Sequence, residues 1–131
     1  MRKLLVYALL AMVPAAAIAA IDLSDFDDDV MRAMDDAYKD LEPVLSASNV
    51  DASRMNIAVL DEGFQWTFEY FTAKQEEGRD ALALLAPGRK ILAEVQTALD
   101  ARDFTTAVTK ARALHDNCKA CHDKYKPKKQ R

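Results

Sequence analysis

The chain has 131 residues, half of them hydrophobic, with only three glycines and four prolines. That length and composition describe one domain and favour an all-helical fold. A formal net charge of −3 argues against nucleic acid as a partner.

Residues 1–20 read as an export signal. Arg2 and Lys3 give a basic start, Leu4 to Val13 an apolar run, and Ala17-Ile18-Ala19 a small-x-small cleavage pattern. The run is short for a membrane span and ends at Pro14, so cleavage near Ala19/Ala20 is expected rather than a retained anchor. The mature chain, 21–131, is then a soluble periplasmic protein without stable membrane insertion. Loss of Arg2 and Lys3 leaves 16 basic against 21 acidic residues, a net charge of −5.

A first helix is expected from about Ser24 to Ser46, with Ser24 and Asp27 as an N-terminal cap pair. Leu23, Phe26, Val30, Met34, Ala37, Leu41 and Val44 recur at three to four residues, and Met31, Met34, Tyr38, Leu41 and Leu45 make an overlapping stripe. Pro43 would kink the last turns. A second helix is expected from a cap at Asp51 to about Lys74. Its aromatics alternate as a strand would, but a lone strand has nothing to pair with. On a helix Phe64, Phe68 and Phe71 share one face, able to pack the core or a cofactor edge. Trp66 and Tyr70 share another, which is either buried in the bundle or a homodimer contact.

The polar stretch Gln75 to Gly78 separates a third helix, from about Arg79 to Leu99, which Pro87-Gly88 is expected to kink or break. Its core face is Ile91, Leu92, Val95, Ala98 and Leu99. The short link from Asp100 to Asp103 makes the third and fourth helices antiparallel neighbours. Asp103 caps the fourth helix, whose stripe runs Phe104, Ala107, Val108, Ala111, Leu114, Cys118, Cys121, Tyr125 and which Pro127 ends. Four helices with short links give an antiparallel up-down-up-down four-helix bundle.

The chemistry sits in Cys118-Lys119-Ala120-Cys121-His122. Two cysteines three apart with a histidine directly after read as a c-type haem attachment site. Each thiol adds across one haem vinyl group, and the histidine offers a ring nitrogen to the iron. On a helix the three side chains share one face. A thioredoxin-like pair would sit at a helix N-terminus after a strand, and here it lies near the end of the last helix. A zinc site from His115, Cys118, Cys121 and His122 would be confined to one helix face, with poor tetrahedral closure. A Cys118–Cys121 disulfide is awkward within a regular helix.

A second axial ligand must come from upstream. His115 lies on the same helix and cannot reach the opposite side of the ring, and is expected to be a partly buried ordinary histidine. Met31, Met34 and Met55 are the candidate thioethers. In the bundle the start of the first helix lies level with the end of the fourth. His122 is about 6 Å from its helix end, Met31 about 10 Å and Met34 about 15 Å into theirs, so Met31 matches best in depth.

With the export signal, the four-helix pattern and Cys118-Lys119-Ala120-Cys121-His122-Asp123-Lys124-Tyr125-Lys126 together, the mature chain resembles the class II cytochromes c, the family of cytochrome c′ and its low-spin relatives. The resemblance implies one haem c held through two thioethers, His122 as proximal ligand, and Met31 on the distal side of the iron. It sets a basic residue near the haem where Lys126 stands. In low-spin members the methionine binds iron and the protein carries single electrons between periplasmic redox partners. In cytochrome c′ the same position packs over an open iron that admits nitric oxide or carbon monoxide. The short link between helices two and three leans to the low-spin subgroup, and the family's habit makes a homodimer an expectation. Acidic residues crowd the start, with Asp22, Asp25, Asp27, Asp28 and Asp29, and basic residues the end, with Lys119, Lys124, Lys126, Lys128, Lys129 and Arg131. Both patches sit where helix dipoles favour them, or they form a docking surface for redox partners. Nothing in the chain has the pattern of an enzyme's nucleophile and base, phosphate loop or paired acids.

Overall fold

The computed structural model describes residues 21–125. The expected leader over 1–20 and the basic end at 126–131, with Lys126 and Pro127, lie outside the described residues. Among the described residues the chain is all helical and has no strand: α1 is Asp28–Ser46, α2 is Val50–Ala73, a short 3-10 turn spans Gln75–Gly78, α3 is Arg79–Asp100, and α4 is Phe104–Tyr125.

Each helix packs on the next, and α1 also packs on α4, so the four close around a single core. Ion pairs show the antiparallel order: Lys124 near the end of α4 meets Asp80 at the start of α3 at 2.8 Å, and Lys110 meets Glu94 at 2.7 Å. The stripes expected on the first, third and fourth helices face inward with their buried members in the core, and α2 adds residues that the spacing did not single out. Leu41, Leu45, Val95, Leu99 and Ala107 have no exposed surface, and Ile57, Leu60, Leu92, Ala111 and Leu114 join them. Removing Leu or Val side chains of this size from water contributes roughly 1.5–3 kcal/mol each.

The links are tight because the helices end in hydrogen-bonded reversals. After α1 the Asn49 amide donates to the Val44 carbonyl and the Ser48 amide to Leu45. After α3 the Asp103 amide donates to Ala98 and Arg102 to Leu99. Both are the paired bonds of a helix stop with a left-handed residue. Ser48 (φ 54°) and Arg102 (φ 58°) take the position glycine usually fills.

Two helix starts and one expected break differ from the sequence expectation. α1 begins at Asp28, not Ser24: Asp27 caps it by accepting from the Asp29 amide at 2.9 Å. Residues 23–26 instead form a turn, with the Phe26 amide donating to the Leu23 carbonyl at 3.0 Å. Asn49, not Asp51, caps α2 by accepting from the Ala52 amide at 3.1 Å, leaving Asp51 in the first turn where the dipole favours an acid. α3 runs unbroken through Pro87 and Gly88. Asp103 caps α4 as expected, accepting from the Thr106 amide at 3.0 Å.

The turn before α1 covers part of the second aromatic face of α2. Phe26 inserts its edge among Trp66 (ring centroids 4.9 Å) and Tyr70 (4.8 Å), with Phe71 behind (6.4 Å). Trp66 and Tyr70 are half-buried by the chain itself. Phe68, expected alongside Phe64 and Phe71, is half-buried with the Arg89 guanidinium over its ring at 5.2 Å, while Phe64 and Phe71 are core. Asp25 fastens the turn: it accepts from the Tyr70 hydroxyl at 2.5 Å and from Lys74 Nζ at 3.0 Å. The Tyr70 bond, then Lys74, hold the Asp25 carboxyl below its ordinary value. A depressed carboxylate stabilises the folded turn fully above about pH 4 and loses that contribution as pH falls through the depressed value. Asp25→Ala is therefore expected to lower the hydrogen-exchange protection of the Phe26 amide at pH 7. The wild-type chain should lose the same protection only below about pH 4.

Candidate cofactor site

A cleft of about 420 Å³ opens between α1 and α4 and has walls from all four helices. That lies in the range of roughly 300–1,000 Å³ usual for cofactor sites. α1 supplies Met31, Met34, Asp35 and Tyr38; α2 supplies Leu60 and Phe64; α3 supplies Leu85. The α4 wall runs from His115 to Asp123 and includes Asn117, Cys118, Cys121 and His122.

The α4 wall continues the core seam. Ala107, Ala111 and Leu114 are buried against the other helices. One to two turns further on, Cys118, Cys121 and His122 keep the same facing but are only half-buried, because here the seam borders the cleft. The spacing of three and four residues brings both thiols and the imidazole to one side of the helix. Cys118 and Cys121 are not joined to each other. Burial pushes the Cys118 thiol up, and it pushes Cys121 up to about 11, with the neighbouring Cys118 adding to the effect. Both are thiols at neutral pH, the reverse of the lowered pKa of a redox-active pair. No group of three or more His, Cys, Asp and Glu side chains is gathered for a metal ion among the described residues. The tetrad His115, Cys118, Cys121 and His122 is not drawn to one point.

His115 departs from the expectation of partial burial. Its side chain is 64% exposed at the rim, with Nδ1 3.3 Å from Asp116 Oδ1, because position 115 falls just past the seam residue Leu114. Lys119 with Asp123 and Lys39 with Asp35 also form exposed ion pairs at the rim. Such pairs contribute little to stability. Tyr38 stands at the inner end of this rim, and burial raises its hydroxyl pKa, with Cys118 and Glu42 adding to the rise.

The three candidate methionines separate clearly. Met55 is 71% exposed on the outer face of α2 and takes no part in the cleft. Met31 and Met34 both line it. Met34 is buried, and its Cγ and Sδ lie where a Cβ on Gly63 would stand, so its thioether fills the close approach of α1 to α2. Met31, half-buried, has no such packing partner at Gly63. Sequence reasoning placed Cys118, Cys121, His122 and Met31 and did not identify Leu85 or Asn117. Asn117 follows Leu114 by three residues, a seam spacing that its polar side chain hides from an apolar pattern.

Comparison of the chain with protein-family models, with curated proteins and with solved structures returns no match.

The residues present fit a covalently attached haem. Paired neutral thiols, an imidazole one position on, a thioether on the α1 wall and the apolar side chains Leu60, Phe64 and Leu85 are donors and lining compatible with such a group. Two outcomes check this geometry. Gly63→Ala should cost about 1–3 kcal/mol through collision with Met34, and adding Met34→Ala should cost less than the two single changes summed, read by thermal unfolding. In the chain folded without haem, alkylation of Cys121 should be slow at pH 7 and rise about tenfold per pH unit towards its pKa of about 11.

Proposed function

We propose that the chain is an exported monohaem c-type cytochrome that carries single electrons. The observation that carries this reading is the arrival of Cys118, Cys121, His122 and Met31 on the walls of one cleft bounded by four helices. Cys118 and Cys121 would form the two thioethers, His122 would be the proximal ligand and Met31 the distal one. The haem supplies a one-electron iron couple, and histidine–methionine ligation raises its potential towards the ferrous state.

The protein's own residues would then do three things. The walls Leu60, Phe64 and Leu85 would keep water from the ring. Met34, packed against Gly63, would brace the part of α1 that carries Met31. The rim of Asp35, His115, Lys119 and Asp123 would leave one edge of the cleft open to redox partner proteins, with charges of both signs. On this reading residues 1–20 are the leader, removed near Ala19/Ala20, and the protein works in the periplasm. No helix among the described residues is long and apolar enough to cross a membrane. The aromatic face that made a homodimer an expectation has Phe26 of its own chain as partner.

Optical spectra of the purified protein in both oxidation states, with and without carbon monoxide, test the reading. The expected result is a low-spin spectrum with a methionine–iron charge-transfer band, slow reaction with carbon monoxide, and loss of the band in Met31→Ala. A high-spin spectrum that binds carbon monoxide at once would replace the electron carrier with the gas-binding reading and make Met31 a packing residue. A colourless protein after expression with haem-maturation machinery would overturn both.

A further inference from the structure

Asn117 is a half-buried amide on the seam of α4, directly before Cys118. Its Nδ2 donates to the main-chain carbonyl of Leu84 on α3 at 2.7 Å. The bond lands on the stretch of α3 that Pro87 perturbs: the proline has no N–H to give to the Ala83 carbonyl, one residue before Leu84. The other end of the amide is seated as well. A Cβ on Gly88 would collide with Asn117 Oδ1 and stand 2.8 Å from Phe64 Cζ, so the amide lies directly against the Gly88 backbone. Proline, glycine and asparagine thus form one joint between α3 and α4, and both Phe64 and Asn117 line the cleft.

We propose that Asn117 is the positioning residue that sets the rotation and axial register of α4, and so aims Cys118, Cys121 and His122 into the cleft. The proposal rests on the cytochrome reading for its consequence, though not for its geometry. A slip of one residue along a helix moves a side chain about 1.5 Å and turns it about 100°. A 2.7 Å bond to a fixed carbonyl does not survive that movement. The α3–α4 ion pairs are weaker locks. Lys110–Glu94 and Lys124–Asp80 join long, partly exposed side chains that can follow a slip. Ala107 and Ala111, the buried seam residues of the first half of α4, are small. A polar residue on an apolar seam is the best-attested way to fix helix register.

The test compares Asn117→Asp, which keeps the shape and loses the donor, and the milder Asn117→Ser, with Val95→Ala, a buried change on α3 away from the cleft. Full-length chains are prepared with and without haem-maturation machinery. In chains without haem, Cys118 and Cys121 are alkylated at fixed pH. In chains with haem, mass spectrometry counts thioethers, and the spectrum and reduction potential are recorded. Both Asn117 variants should alkylate at least about fivefold faster than wild type, the ratio expected for one lost hydrogen bond. They should also give a fraction of singly attached haem and a shifted potential. Val95→Ala should lower the melting temperature without these changes. If the Asn117 variants match wild type in alkylation, attachment and potential, or change only in step with Val95→Ala, Asn117 is a packing residue and the proposal falls. If wild type takes up no haem, the cytochrome reading falls, and the alkylation ratios alone still decide the role of Asn117.

Discussion

Everything in this bundle depends on one helix face having to serve two environments. The seam of α4 begins as ordinary core, with Ala107, Ala111 and Leu114 buried among the other three helices. It continues into Cys118, Cys121 and Tyr125 at the same period, and there the core gives way to a cleft. Since a helix is stiff over these few turns, the packing of Leu114 carries forward to the two thiols and the imidazole, with the Asn117–Leu84 bond lying between them. The site inherits its geometry from the core through the backbone of α4, without a loop between them.

The two ends of the bundle are held by different means. At the end formed by the α1–α2 and α3–α4 reversals, aliphatic side chains close the core: Leu41, Leu45, Val95 and Leu99 have no exposed surface. At the other end aromatic rings take over. Tyr125 at the end of α4 meets Phe71 at 5.4 Å, Phe71 meets Tyr70 at 5.3 Å, and Phe26 reaches back over them from the turn before α1. Rings reach further than aliphatic chains, so this end can stay bonded while α1 and α4 stand apart around the cleft. The interface between α1 and α4 is less extensive than that between α3 and α4, which is why the opening lies there. Surface ion pairs decorate both ends, and exposed pairs of this kind contribute little.

Much of this was legible from residue spacing alone. The α4 stripe from Phe104 to Tyr125 is the inward face, buried at Ala107, Ala111 and Leu114 and half-buried elsewhere, and its period alone put Cys118 and Cys121 on that face. What spacing could not supply is what depends on a neighbour. Pro87-Gly88 reads as a break, yet α3 continues, because the glycine lets Asn117 and Phe64 close on the helix at that point. Ser24 reads as a cap, yet the first turn of helix waits for Asp27, because Phe26 is drawn into the aromatic cluster. His115 reads as partly buried, and one residue of rotation past Leu114 carries it to the rim. Depth along the first helix favours Met31 over Met34, and the approach of α1 to Gly63 shows where the Met34 thioether goes instead.

On the proposed reading the bound group would act as a fifth packing element. Each helix contributes a wall residue to the cleft: Met31 from α1, Phe64 from α2, Leu85 from α3 and Cys118 from α4. A flat apolar ring filling that space would touch all four helices at the place where two of them pack least. Whatever binds the folded state alone stabilises it, and covalent attachment makes that contribution permanent. The joint at Asn117 and the collar of aromatic rings would then have a purpose before attachment as well as after it: they hold α4 at the angle the thiols need when nothing else braces α1 against it. A site built this way has its precision in the scaffold, and the few residues that touch the cofactor can be ordinary ones.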